Sequence, residues 1–174
     1  MVVLKKKFFD VELEILESRI QLYASRLEDL DKRVIKYDLT KILKGKNCEA
    51  KFMLRKEGDN VIGHMFSFVL YPSYIRKLIG HGISMVEDSF VVKAQDCNMR
   101  IKPFLITRKR VHRSVRKALR DECKKLLEKY VEENDSKKIF DSILSATLQR
   151  ILSKKLKKIY PLGVCEIRVA EIVK

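Results

Sequence analysis

The order of the hydrophobic patterns is the feature that most restricts how this chain can fold. Strand-like runs occupy residues 33–107, helical patterns occupy 110–159, and residues 164–173 alternate once more as a strand. Strands followed by helices and a returning strand predict an α+β fold, because a doubly wound fold would alternate the two throughout. With 174 residues, 46% of them hydrophobic, the chain is large enough for one such domain. We therefore expect a single α+β domain over residues 32–174.

Turn residues divide the strand half. We expect strands at 33–39, 49–56 and 61–71, and a hairpin formed by 83–94 and 99–107. Pro72 suits the first turn of a helix, where its missing N–H is not needed, so a short helix is expected from 72 to about 79.

Residues 1–31 are predicted to be an amino-terminal arm followed by an acidic amphipathic segment, and two interpretations of that segment remain open. Leucine, isoleucine and tyrosine recur at helical spacing, whereas Val11, Leu13 and Ile15 alternate with glutamates as in a strand. The helical seam comprises Leu13, Leu16, Ile20, Tyr23, Leu27 and Leu30. We expect this acidic segment to pack on the domain or on a neighbouring protein, so a protein-binding adaptor is one possible function.

The positive charge is concentrated. The chain has a net charge of +15, with +9 in residues 99–130 and +5 in 149–158, whereas residues 10–31 carry −5. A basic surface organised in this way predicts docking to a polyanion.

The strongest candidate site is a helical stretch with one apolar and one cationic side. Acidic residues four positions further on are missing from the cationic side, although solvated helix faces usually mix both signs. Arginine predominates, and its planar guanidinium binds phosphate oxygens in pairs. The predicted RNA contacts are Arg108, Lys109, Arg110, His112, Arg113, Arg116, Lys117, Arg120 and Lys124.

Two smaller basic segments are found in addition to this helical stretch. Lys154, Lys155, Lys157 and Lys158, with Arg150, lie at the end of a helix, where cations also complement the helix dipole. The amino-terminal arm combines Lys5, Lys6 and Lys7 with Phe8 and Phe9, whose rings either stack on nucleic acid or pack on the core. We expect RNA contacts from both segments.

Catalysis is a weaker hypothesis than RNA binding. Asp38, Glu49 and Lys51 match a loose nuclease pattern, in which carboxylates hold Mg²⁺, but a solvent-facing strand row explains them equally well. The four cysteines form no C-x-x-C pair, and no glycine-rich phosphate loop or G-x-S-x-G motif is present. We expect no enzyme activity and no cofactor or metal. We also expect no membrane segment, because no apolar run approaches the roughly 20 residues of a membrane span, and no signal peptide, because the apolar run before Lys5 is too short.

Several segments resemble the small-subunit ribosomal protein S3a family, also called S1e, of eukaryotes and archaea. The most specific are Ile159-Tyr160-Pro161-Leu162, followed by Ile167-Arg168-Val169, and Thr107-Arg108-Lys109-Arg110. Lys6-Lys7-Phe8-Phe9-Asp10-Val11 is similar to the family's basic-aromatic arm. Weaker similarities follow in order at Arg33-Val34-Ile35, at Phe90-Val91-Val92-Lys93 and at Val115-Arg116-Lys117.

The resemblance implies a mixed, barrel-like β-sheet with flanking helices, on the platform of the small ribosomal subunit. It implies binding to rRNA near its 3′ end, beside neighbouring ribosomal proteins and near the mRNA exit, in the cytoplasm. A basic loop before the long helix and the eukaryotic terminal extensions are missing, so a compact archaeal or reduced eukaryotic member is expected. The alternative function is a free RNA-binding or RNA-processing protein.

Overall fold

A computed structural model describes residues 6–16, 18–43, 45–58 and 60–173. This part of the chain forms nine β-strands, four α-helices and a short 3-10 helix at Leu27–Leu30. The strands are β1 (Lys7–Leu13), β2 (Ser18–Ala24), β3 (Val34–Asp38), β4 (Cys48–Glu57), β5 (Asn60–Leu70), β6 (Met85–Glu87), β7 (Phe90–Lys93), β8 (Asn98–Thr107) and β9 (Leu162–Val173). The helices are α1 (Pro72–Leu78), α2 (Arg113–Glu132), α3 (Ser136–Leu144) and α4 (Thr147–Leu156).

All nine strands belong to one mixed sheet. Its main path runs β2-β1-β5-β9-β8-β6, with β3 and β4 joined to β5, and β7 joined to β8. Only the β1–β5 pair is parallel among the described strands. The predicted α+β fold is confirmed, and the pairings among the described residues leave the sheet open at β2 and β6, whereas the family resemblance implied a barrel-like sheet.

The acidic segment forms strands, so the helical alternative for residues 10–31 is wrong over most of its length. β1 and β2 make an antiparallel hairpin, and β1 also pairs with β5 at Val11–Leu13. Val11 and Leu13 are buried while Asp10 and Glu12 are exposed, which is the alternation of a strand with one face on the core. The described part of the predicted arm is therefore an edge of the sheet.

Two further predicted elements are divided in the structure. The first arm of the predicted hairpin is broken at Asp88 and Ser89 into β6 and β7, both of which pair with β8. The helical region 110–159 is broken into three helices, the second break falling at Ala146, whose φ is +57°. None of the three breaks contains glycine or proline, the two residues that most clearly mark a break in a sequence.

Helices α2, α3 and α4 pack against the sheet and form a common core with it. α2 contributes Leu119, Cys123, Leu127 and Val131, all at most 1% exposed. α3 and α4 add Phe140 and Leu152 to the same core, and β8 adds Phe104. A second, smaller core of Val11, Ala24, Leu30, Leu54 and Val61 lies beneath the β1–β2 hairpin. No helix in the described part of the chain is both long and apolar enough to cross a membrane.

A polar cluster links the hairpin to the rest of the domain. The Glu14 carboxylate, just after β1, accepts hydrogen bonds from Lys137 of α3 and contacts His64 Nδ1 of β5 at 2.9 Å. Glu57 lies on the other side of the same ring, 3.6 Å from Nε2. The hydrogen bond from Lys137 is the largest influence on Glu14 and, helped by His64, lowers the pKa of its carboxyl below the ordinary 4.5.

This lowered pKa leads to a prediction of pH-dependent stability. Because the folded state favours the charged carboxylate, its contribution is complete above pH 4.5 and is lost as the pH falls through the lower folded pKa. We expect Glu14→Gln to destabilise the protein near neutral pH by less than about 1 kcal/mol, as for other half-exposed ion pairs. Urea unfolding should show the two proteins converging below pH 4.5. A difference that persists undiminished in strong acid would contradict this role of the carboxylate.

Candidate nucleic-acid interface

Helix α2 is held so that its apolar side faces the sheet. Its buried residues recur every four positions from Leu119 to Val131, which places them along one side of the helix. The segment that leads into it is anchored at Ser84, whose hydroxyl accepts a hydrogen bond from Val111 N at 3.1 Å, and whose N–H donates to Thr107 Oγ1 at 3.0 Å. The opposite side of α2 therefore faces solvent in a defined orientation.

Four cations on the solvent side of α2 form what we term the α2 cluster: Arg113, Arg116, Lys117 and Arg120. Together they line an open depression of about 430 Å³. A neighbouring depression of about 440 Å³ is lined by Arg110, Val111 and His112, together with Arg113 and Arg116. The two depressions thus share two arginines, and the predicted residues from 110 to 120 are brought together as one continuous basic surface.

The amino terminus of α2 adds to the positive potential. His112 is the N-cap, its side chain makes no capping hydrogen bond, and the first turn contains no acidic residue. The first N–H groups of a helix have no partner within the helix and carry the positive end of its dipole. Anions are stabilised at such a position.

Arg116 has a further property that the sequence did not indicate. The residue is half-buried, and its Nε is buried without a hydrogen-bond partner among the described residues. An unpaired buried donor is costly, typically about 1–3 kcal/mol. A phosphate oxygen in the depression would be a chemically suitable acceptor for this guanidinium.

The expectation that no acidic residues relieve this face is wrong at its carboxyl-terminal end. Lys124 Nζ lies 3.8 Å from Glu128 Oε1 one turn further on, and 5.9 Å from the centre of the Phe90 ring. Arg120 Nε donates to the main-chain oxygen of Glu87 at 3.2 Å, a contact between distant residues that spacing could not show. The cations that are free to bind an anion are therefore those in the first two turns of α2, and Arg120 among them is partly engaged by Glu87.

The carboxyl-terminal basic residues lie at the end of α4. Lys154, Lys155, Lys157 and Lys158 are all exposed, in or just after the last turn of α4. Lys155 lines a narrow groove between α4 and α2 that is also lined by Lys129, Tyr130 and Glu133. None of these lysines lines either depression of the α2 cluster.

The amino-terminal arm separates its two phenylalanines. Successive strand residues point to opposite faces, so Phe9 is half-buried against the smaller core while Phe8 is 69% exposed. Phe8 pairs across the hairpin with Tyr23, and the ring centres are 5.1 Å apart. Lys6 and Lys7 are exposed, and Lys5 lies outside the described residues. The sequence pattern placed Tyr23 on the helical seam, whereas the register between β1 and β2, which no local pattern gives, places it beside Phe8.

The residues of the nuclease pattern have structural contacts instead. Asp38 and Glu49 face each other across β3 and β4. Asp38 accepts hydrogen bonds from the hydroxyl and N–H of Thr40, which lower the pKa of its carboxyl. Tyr71 donates to Glu49 at 2.8 Å, and this hydrogen bond raises the pKa of the tyrosine. Among the residues that the structure describes, no three His, Cys, Asp or Glu side chains form a group that could hold a metal ion.

The cysteines lie in or beside the core. Cys48 and Cys123 are buried, and burial is the main reason that the pKa of each thiol rises to about 12. Cys97 and Cys165 are half-buried, and burial raises the pKa of these thiols as well. Protonated thiols are poor nucleophiles and poor metal ligands.

A mixed sheet packed against helices, one of which carries an arginine-rich solvent face, defines a basic α+β protein. The model of the Ribosomal S3Ae family matches residues 3–174, so the chain belongs to that family, as its motifs indicated. It is similar to the small ribosomal subunit protein eS1 of Nanoarchaeum equitans, with 31% identity over 121 residues, 66% of this chain and 59% of the relative. The eS1 protein of Pyrobaculum arsenaticum is 29% identical over 140 residues, 79% of this chain and 64% of the relative. The matched region thus spans about three-fifths of each relative.

Proposed function

We propose that this protein is a structural, non-catalytic component of the small ribosomal subunit that binds rRNA. The observation that carries the proposal is the α2 cluster, in which four cations share an open depression on the solvent side of a firmly seated helix. The relatives named small ribosomal subunit protein eS1 support the assignment to this particle.

Phosphate neutralisation is the proposed source of affinity. Each cation that contacts a phosphate releases condensed counterions, so binding depends steeply on salt. The guanidinium groups that line the depressions and the uncapped amino terminus of α2 both suit phosphate oxygens. None of these groups identifies a base, and we propose that the shape of the folded rRNA supplies the specificity.

The proposed position is the platform of the subunit, near the mRNA exit and the 3′ end of the rRNA, with other platform proteins as neighbours. Lys154, Lys155, Lys157 and Lys158 provide a second surface for rRNA. These lysines line neither depression of the α2 cluster, so we propose that the two surfaces contact separate rRNA segments. We propose that the protein supports assembly by holding such segments together.

Sedimentation tests this proposal. The protein, expressed with an epitope tag in a cell that carries its own ribosomes, should sediment with the small subunit through a sucrose gradient, and should remain there after a moderate salt wash. Ribonuclease digestion of the particle should release it. Migration near the top of the gradient before any treatment would instead indicate a free RNA-binding or RNA-processing protein. Persistence in a protein complex after complete ribonuclease digestion would indicate an adaptor.

A further inference from the structure

The β1–β2 hairpin exposes two adjacent aromatic rings, Phe8 and Tyr23, which we term the ring pair. Phe8 is 69% exposed and Tyr23 is 53% exposed, although burying such side chains would be favourable. They are direct neighbours on adjacent antiparallel strands, with ring centres 5.1 Å apart and ring planes inclined by 45°. A pair of exposed rings on a rigid sheet edge is a surface on which a flat partner can stack.

The charge on one side of the ring pair, at the open end of the hairpin, is positive. Lys6 Nζ lies 5.7 Å from the centre of the Tyr23 ring, whereas Lys7, the next residue of β1, is exposed on the opposite face. The acidic side chains of the same face lie further towards the hairpin turn. Glu12 is paired there with Arg19 at 2.7 Å, which leaves Asp10 as the nearest carboxylate to the rings along β1. The open end of the hairpin is therefore cationic, whereas the turn end is not.

We propose that the ring pair stacks on an unpaired base of rRNA, while Lys6 neutralises an adjacent phosphate. This inference rests on the proposed function and extends it, because the α2 cluster contacts phosphates alone. Bases inside a duplex are already stacked on each other, so only a base in a loop, bulge or single strand offers a free face. The ring pair would thus select unpaired RNA, a preference that phosphate contacts cannot supply.

The polar surroundings favour a nucleotide over a protein as the occupant. Beyond the two rings, this face of the hairpin presents Asp10 opposite Gln21 and then Glu12 opposite Arg19. The apolar area is therefore limited to one ring pair, whereas the centre of a protein–protein interface is a larger apolar patch. An aromatic pair with an adjacent lysine is complementary to one base and its phosphate.

The absence of tryptophan from the sequence makes a direct test possible. Phe8→Trp introduces a single indole whose emission is quenched when a base stacks on it. The full chain carrying this substitution would be titrated at fixed salt with three ligands. These are a single-stranded RNA of about ten nucleotides, an RNA duplex of equal length, and heparin, which has charge but no bases. We expect strong quenching by the single strand, and little by the duplex or heparin at equal occupancy.

Two truncations supply an independent measurement. Tyr23→Ala and Phe8→Ala should each weaken binding of the single strand by about 10-fold, within the range of one base–aromatic stack, and leave duplex binding unchanged. Val91→Ala, which shortens a 53% exposed side chain on β7, is the matched control and should change neither affinity. Circular dichroism would confirm that the variants fold.

The outcomes separate the two proposals. If no polyanion binds, the proposed function and this inference both fail. If duplex and heparin bind normally but the single strand neither quenches the indole nor responds to Tyr23→Ala, the proposed function stands and the stacking role is wrong. Equal quenching by heparin would also overturn stacking, because a polyanion without bases would then account for the signal.

Discussion

Reversing three charges of the α2 cluster, in the variant R113E/R116E/R120E, should reduce affinity for rRNA fragments on the order of 100-fold near physiological salt and block incorporation into small subunits. Each substitution removes a cation that neutralises a phosphate, so the slope of log affinity against log salt should become shallower by about one for each phosphate that is no longer neutralised. Filter binding over a salt series measures both quantities. Reconstitution with rRNA and the other subunit proteins measures incorporation.

A matched control separates this local effect from net charge. The variant R55E/R76E/K93E makes the same change in net charge at exposed positions on β4, α1 and β7, and it should retain most of the affinity and the steep salt dependence. Arg116 is half-buried and Arg120 contacts Glu87, so a second variant, R113E/K117E, restricts the change to fully exposed side chains. Equal losses of affinity in the site and control variants would mean that the basic surface acts only through its total charge.

Shortening Leu127 to alanine should be the most destabilising of the substitutions considered for α2. Leu127 is 0% exposed and belongs to the row that seats α2 on the sheet. A buried Leu→Ala change costs about 2–5 kcal/mol, a large share of the roughly 5–15 kcal/mol that stabilises a typical domain. Urea unfolding should show this decrease in the free energy of unfolding, whereas Lys125→Ala, on the exposed side, should change stability by less than about 0.5 kcal/mol.

The L127A variant also separates the side of α2 that packs on the sheet from the side that we propose binds RNA. Because Leu127 faces the sheet, L127A protein that remains folded at low temperature should bind RNA with nearly unchanged affinity and salt slope. Its binding should then disappear at a lower temperature than that of the parent protein, in parallel with unfolding. A decrease in stability below about 1 kcal/mol would show that α2 is only loosely docked and that its orientation is not set by this row.

Much of the architecture could be predicted because it depends on local chemistry. Pro72 begins α1 as expected, and the alternation after residue 160 forms β9. The apolar and cationic sides of α2 follow from helical periodicity alone, which is why Leu119 and Arg113 could be assigned to opposite faces. The breaks near residues 88 and 146 could not be predicted, since neither contains glycine or proline and tertiary packing decides them.

Residues 10–31 show where local pattern ceases to be sufficient. Leu13, Ile20 and Tyr23 satisfy a helical spacing, while Val11 and Leu13 also satisfy a strand alternation. Pairing of β1 with β5 decides between the two, because it supplies backbone partners and buries Val11 over Val61. Gly63, opposite Leu13, assists this close approach, since a Cβ there would lie 2.7 Å from Leu13 Cδ2. No window of sequence around residue 20 contains that information.

The sequence by itself determined the fold class, the family and the strongly basic face of α2, because these depend on composition, periodicity and short motifs. Only the tertiary structure decided which cations of α2 are engaged by distant residues: Arg120 donates to the main-chain oxygen of Glu87 in β6, and Lys124 lies over the Phe90 ring. It also decided that Tyr23 lies beside Phe8. Such contacts join residues far apart in the chain, and the free energy that forms them comes from burying the shared core.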